Sequence, residues 1–222
     1  MSEKELQIEM KKLKNFCFTL LFCMISVMMG ALCFVIKPYA VELTDFNKHE
    51  IVYEKKSDID ICETFGWLDD SWAEMADDQL SLINPNILEA FKESDWKMVV
   101  SKKNLNEFCN EPEDGPKILG TTDFNSETIY LNPTQNSINE ATIHEMGHWL
   151  DRRLLTISDS EKFQDVFEKE HQRFRYHFYD IDGLNTHEMF AEAFFQYYID
   201  GEKLKTLCPE TYNFIDNVVS HF

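Results

Sequence analysis

Residues 144–148 read His-Glu-Met-Gly-His, and no other stretch so narrows what this chain can fold into. On a helix the two histidines stand one turn apart on one face, so their ring nitrogens can meet a single ion. Glu145, beside the first of them, can reach a water on that ion. The pattern therefore demands a helix. Ser137-Ile138-Asn139-Glu140 has the spacing of a capping box and predicts a start at Ser137, with the helix running to about Leu154. Two imidazoles do not close a catalytic zinc site, which takes three protein ligands and keeps one position open. A fold that uses this motif must bring a third donor from elsewhere.

The stretch THEMFAEAFFQ, residues 186–196, offers three candidates: His187, Glu188 and Glu192. Glu188 and Glu192 are four apart on a predicted helix capped by Asn185 or Thr186, so both can aim at one point. One can bind metal while the other accepts from the second ring nitrogen of a ligand histidine and fixes its tautomer. They stand among Met189, Phe190, Ala191, Ala193, Phe194 and Phe195, where an unpaired carboxylate would be costly. His187 reads better as an exposed first-turn histidine than as a ligand.

The rest of the body alternates short elements. DDSWAEMADDQLSLI and NPNILEAFKES read as helices, and DWKMVVS as a strand. CNEPEDGPKILG reads as a turn-rich loop. ETIYLN alternates Ile129 and Leu131 against Thr128 and Tyr130, the pattern of a half-buried strand. Ser158-Asp159-Ser160-Glu161 predicts a second capped helix to about Arg175, HFYDIDGLN a loop, and Pro209 the opening of a last helix. The class is α+β, a small mixed sheet packed beside several helices. The strand around Ile129 is expected to offer an edge for an extended peptide.

An uncharged run covers residues 16–36, preceded by Lys11, Lys12 and Lys14. At about 1.5 Å per residue it is long enough for a hydrocarbon core of about 30 Å. It reads either as an uncleaved anchor or as a signal peptide with a weak cleavage match ending at Ala40. Both place the N-terminus inside and the body outside the cytoplasm. The expected organisation is a cytoplasmic segment 1–15, the span 16–36, a stalk 37–60 and a metal-binding domain 61–222. Residues 41–222 carry 16 basic and 37 acidic residues, a balance of −21 that repels phosphate backbones and excludes nucleic acid as partner. Cys62, Cys109 and Cys208 are an odd number and fit no zinc-knuckle spacing.

HEMGH followed forty residues later by EMFAEAF resembles the gluzincin metallopeptidases of the anthrax lethal-factor-like type, a group that includes the Pro-Pro endopeptidases. NPNILEAFKESDWKMVV, ETIYLN and CPETYNFIDNVV add to the likeness, which spans roughly residues 65–220. The resemblance implies a zincin-like fold and one Zn²⁺ held by His144, His148 and Glu188. It also implies Glu145 as the base that activates water, and Glu192 as the partner of a ligand histidine. A monomeric endopeptidase acting on proline-rich surface or secreted proteins is the implied function. In that family a tyrosine seven residues before the ligand glutamate helps stabilise the oxyanion. That position is Ile181 here, and Tyr179, in the same loop, is expected to replace it through a shift of loop register. The departure at Ile181 also leaves open a membrane-anchored zinc-fold binding protein without activity.

Overall fold

Four short strands and seven helices follow Tyr53 in the computed structural model, which describes residues 53–112, 115–179 and 183–222. The expected segments 1–15 and 16–36, and the stalk up to residue 52, lie outside the described residues. Among the described residues no helix is long and apolar enough to cross a membrane. From Tyr53 onward the chain is already laid along helix α1 (Ser71–Leu80). The Asp78 carboxylate accepts from the backbone of Lys56 and Ser57, and Asp77 accepts from Ile61, Cys62 and the Lys55 ammonium.

The strands are β1 (Cys62–Phe65), β2 (Lys97–Ser101), β3 (Gly120–Asp123) and β4 (Thr128–Leu131). They form one sheet in the order β1-β2-β4-β3, parallel except for the β3–β4 pair. The mixed sheet is as expected, but β1 and β3 were not foreseen. Four residues such as Gly-Thr-Thr-Asp carry no apolar alternation to announce a strand. β4 is paired on both sides, so its backbone groups are already used. The expectation of a free edge around Ile129 is corrected, because the strand at the edge beside the helix Gln135–Arg153 is β3. Thr122 pairs with Ile129, so both point to the buried face, while Thr121 and Tyr130 point to the other. Lys103 and Phe108 cover Tyr130, with the ammonium 4.1 Å from its ring centre.

Helix α2 (Pro85–Lys92) begins with proline behind an Asn84 cap, and α3 (Leu105–Phe108) is a single turn. Helix α4 (Gln135–Arg153) crosses the middle of the domain. Its Ile138, Ile143, Met146, Trp149 and Leu150 are almost wholly buried, and Trp149 meets Phe91 of α2 edge-on at 5.1 Å. A helix buried on nearly every side belongs to the core itself. Its start differs from the expected capping box. Thr134 is the cap, its hydroxyl accepting from the Ser137 amide, while Ser137 lies inside the helix. The Ser137 hydroxyl is used elsewhere, donating to the Leu119 carbonyl and accepting from the Asn132 amide. It thereby ties α4 to the chain entering β3 and leaving β4.

A 3₁₀ turn (Ile157–Asp159) leads to α5 (Glu161–Phe178), which Ser160 caps by accepting from the Phe163 amide. Helix α6 (Thr186–Leu207) is capped by Asn185 and bends at Asp200, and α7 (Pro209–His221) ends the chain's fold. Phe163, Phe190 and Phe214 join α5, α6 and α7 in one aromatic cluster.

Candidate metal centre

His144 and His148 sit in the middle of α4 with their rings 4.9 Å apart and edge-on. Glu188, in the first turn of α6, faces both. One of its oxygens is 3.5 Å from His144 Nε2 and the other 3.6 Å from His148 Nε2. One donor atom from each of the three lies within 4.8 Å of the other two. A tetrahedral ion with arms of about 2.0–2.1 Å needs its donors roughly 3.4 Å apart. Two imidazoles and one carboxylate at this spacing fit a zinc ion.

The fit depends on how closely α4 and α6 approach. Gly147 lies in the motif between the two histidines, and a Cβ there would stand 2.8 Å from the Ala191 Cα and 3.1 Å from its carbonyl oxygen. Those are backbone atoms, so any side chain at 147 would force the helices apart. Gly147 against Ala191 thus brings Glu188 and Glu192 within reach of the histidines. Glu192 lies behind the His144 ring. Its Oε2 is 3.0 Å from His144 Nδ1, and its Oε1 accepts from Gln196. With zinc bound, that contact would keep the ring proton on Nδ1 and leave the Nε2 lone pair for the metal.

The charges of the cluster act on one another. Burial pushes the His144 imidazolium down, but hydrogen bonds to Glu188 and Glu192 and the Glu145 charge outweigh it, raising the pKa to about 10. Burial would raise Glu188, yet the His144 hydrogen bond and the His148 and His144 charges hold its carboxyl down at about 2. Burial pushes His148 below the usual histidine range, which favours the neutral ring a metal needs.

Glu145 points from α4 toward β3 and is buried. Its Oε2 accepts from the Thr122 hydroxyl at 2.7 Å. Tyr179, just past the end of α5, places its hydroxyl 3.2 Å from Glu188 Oε2. Burial and the neighbouring Glu188 charge push the phenol up, so it keeps its proton as a donor. Tyr176 is exposed, and Ile181 lies outside the described residues. His187 turns away from the centre. Its Nδ1 lies 2.9 Å from Asp151 and 2.7 Å from the Ser158 hydroxyl. Ser158 was expected in a capping box, and instead its hydroxyl and amide both bind Asp151.

Sequence reasoning did not find Thr122 or the role of Gly147. The signal for Gly147 was present, a glycine in mid-helix where it costs stability unless something packs against it. Thr122 carried none, since its strand was itself unread.

An α+β fold with His-Glu-x-x-His on one helix and a facing glutamate two helices further on defines a zinc metallopeptidase of the gluzincin arrangement. The family described as "Anthrax toxin lethal factor, N- and C-terminal domain" matches residues 68–218, and the chain belongs to that family. Over 80 residues it is 38% identical to a Pro-Pro endopeptidase of Clostridioides difficile (strain 630), covering 34% of this chain and 36% of that relative. The chain thus spans about a third of the length of that relative. The solved structure of the Pro-Pro endopeptidase (PPEP-2) from Paenibacillus alvei is similar at a TM-score of 0.56 and 21% identity, over 71% of this chain and 97% of that one. At that identity the likeness concerns the fold.

Proposed function

We propose that the protein is a zinc-dependent endopeptidase that hydrolyses proline-containing peptide segments outside the cytoplasm. The convergence of His144, His148 and Glu188 on one point, with Glu145 alongside, carries this reading. Zinc held by those three residues would supply Lewis-acid polarisation of the scissile carbonyl and of the attacking water. Glu145 takes a proton from that water and delivers it to the leaving amine. Glu192 holds the His144 ring. The Tyr179 hydroxyl, released from Glu188, donates to the oxygen that gains charge at the scissile carbon. An extended peptide pairs with β3, which among the described residues is the edge strand beside Glu145.

The proline preference rests on the family and on the names of the two Pro-Pro endopeptidases similar to this chain. The placement outside the cytoplasm rests on the lysine-flanked uncharged run at residues 16–36. Cell fractionation with protease protection tests that placement, and a cytosolic full-length protein would overturn it. For the chemistry, wild type and Glu145→Gln are compared on a proline-containing peptide library, with zinc content measured on both. Both should bind one zinc, and only wild type should cleave, with a loss of about 10²–10⁴-fold in the variant. Zinc binding without cleavage by wild type would favour a binding protein that keeps the metal site.

A further inference from the structure

We propose that Thr122 is a positioning residue for the base, an inference that rests on the endopeptidase reading above. Its hydroxyl donates to Glu145 Oε2 at 2.7 Å and lies 3.2 Å from the Glu145 carbonyl oxygen. The carbonyl alone could have satisfied this half-buried threonine, yet the shorter bond goes to the carboxylate. Thr122 points at α4 because it pairs with Ile129 across the β3–β4 ladder. Gly120, two residues earlier on the same face, lets the strand come this close. A Cβ there would lie 2.9 Å from both Glu145 Cγ and Ala141 Cβ.

The consequence is a division of labour within one carboxylate. Oε2 is tied to the strand, so Oε1 is the oxygen left to take the proton of the attacking water. A glutamate has three rotatable bonds, and fixing the group before substrate arrives removes a cost from the reaction step. β3 is also the edge strand on which an extended peptide would lie. Substrate docking and alignment of the base therefore share a single strand, and a peptide that shifts β3 also shifts Glu145.

Thr122→Val removes the hydroxyl at nearly constant shape, and Thr122→Ser keeps it. The valine variant should bind one zinc, melt within a few degrees of wild type and keep KM within about threefold, while kcat falls roughly 10–100-fold. The serine variant should hold kcat within about threefold of wild type. Affinity for a peptide hydroxamate, which hands a proton to the base on binding, should drop in the valine variant and recover in the serine one. Thr122→Ala repeats the comparison should the valine variant not fold. Wild-type kcat and hydroxamate affinity in Thr122→Val would overturn the proposal, as would equal losses in the valine and serine variants. Should wild type cleave no peptide, the endopeptidase reading fails, and the hydroxamate affinities still decide the Thr122 contact.

Discussion

Helices α4 and α6 meet at two polar clusters that both set histidine against carboxylates. In one, His144 and His148 face Glu188, and Glu192 occupies the far side of the His144 ring. In the other, His187 meets Asp151 and Ser158, with Asp159 3.4 Å from its second nitrogen. In the first cluster two Nε2 atoms and both Glu188 oxygens face a common point, although the Tyr179 hydroxyl also reaches one of those oxygens. In the second, hydrogen bonds between the members take up the polar groups. Histidine next to carboxylate is therefore no measure of metal binding. What matters is whether the lone pairs are left over after the local hydrogen bonds are made.

Substitutions on the two sides should separate these roles. The largest effect is expected from Glu188→Ala, which removes a ligand and should weaken zinc by more than about 100-fold, whereas His187→Ala keeps full zinc occupancy. Chelator competition measures both, and equal losses would break the distinction between the clusters. Glu192→Gln should weaken zinc by about 10–100-fold, because the amide no longer holds the His144 ring with the same charge.

The pH dependence sharpens the contrast further. His144 in the metal-free protein is raised to about 10, so near neutral pH it carries a proton that zinc must displace. Zinc affinity should rise by about tenfold per pH unit between about 7 and 10, with proton release visible in weakly buffered titrations. The same shift stabilises the metal-free protein fully below the ordinary histidine pKa of about 6.5, and that stability is lost as pH rises through about 10. A flat zinc affinity over this range would show that the His144 pairs do not form.

Smaller effects test the frame that holds the clusters. Gly147→Ala should cost about 1–3 kcal/mol in thermal unfolding and weaken zinc as well, since the new methyl meets the Ala191 backbone. Ser158→Ala should cost about 1 kcal/mol and leave zinc affinity unchanged within twofold, because its hydroxyl serves Asp151 and His187 alone.

Local signals in the chain reach some of this and stop short of the rest. His144 and His148 at four-residue spacing, Glu145 between them, and the Glu188–Glu192 pair were readable because helix periodicity alone fixes which side chains share a face. The Asn185 cap, one of two candidates with Thr186, was readable because it bonds an amide three residues away, whereas the box expected at Ser158 gave way to a cap at Ser160. The choice of Glu188 over His187 as ligand was not settled by spacing, since both lie in the first turn of α6. It depended on Asp151 and Ser158, 36 and 29 residues distant, already holding the His187 ring. Likewise Ser137 matched a capping box, but the Leu119 carbonyl, 18 residues away, had the stronger claim on its hydroxyl.

The sequence by itself determined the chemistry available: two imidazoles, a neighbouring carboxylate and a distant pair of glutamates, each placed on a helix face by a 3.6-residue period. Only the tertiary structure decided which groups meet. It made β3 the edge strand, set Thr122 against the base, let Gly147 admit α6, and brought the Tyr179 hydroxyl to Glu188. Those contacts join residues 9 to 44 positions apart, and no local period encodes which of them the packed core will bring together.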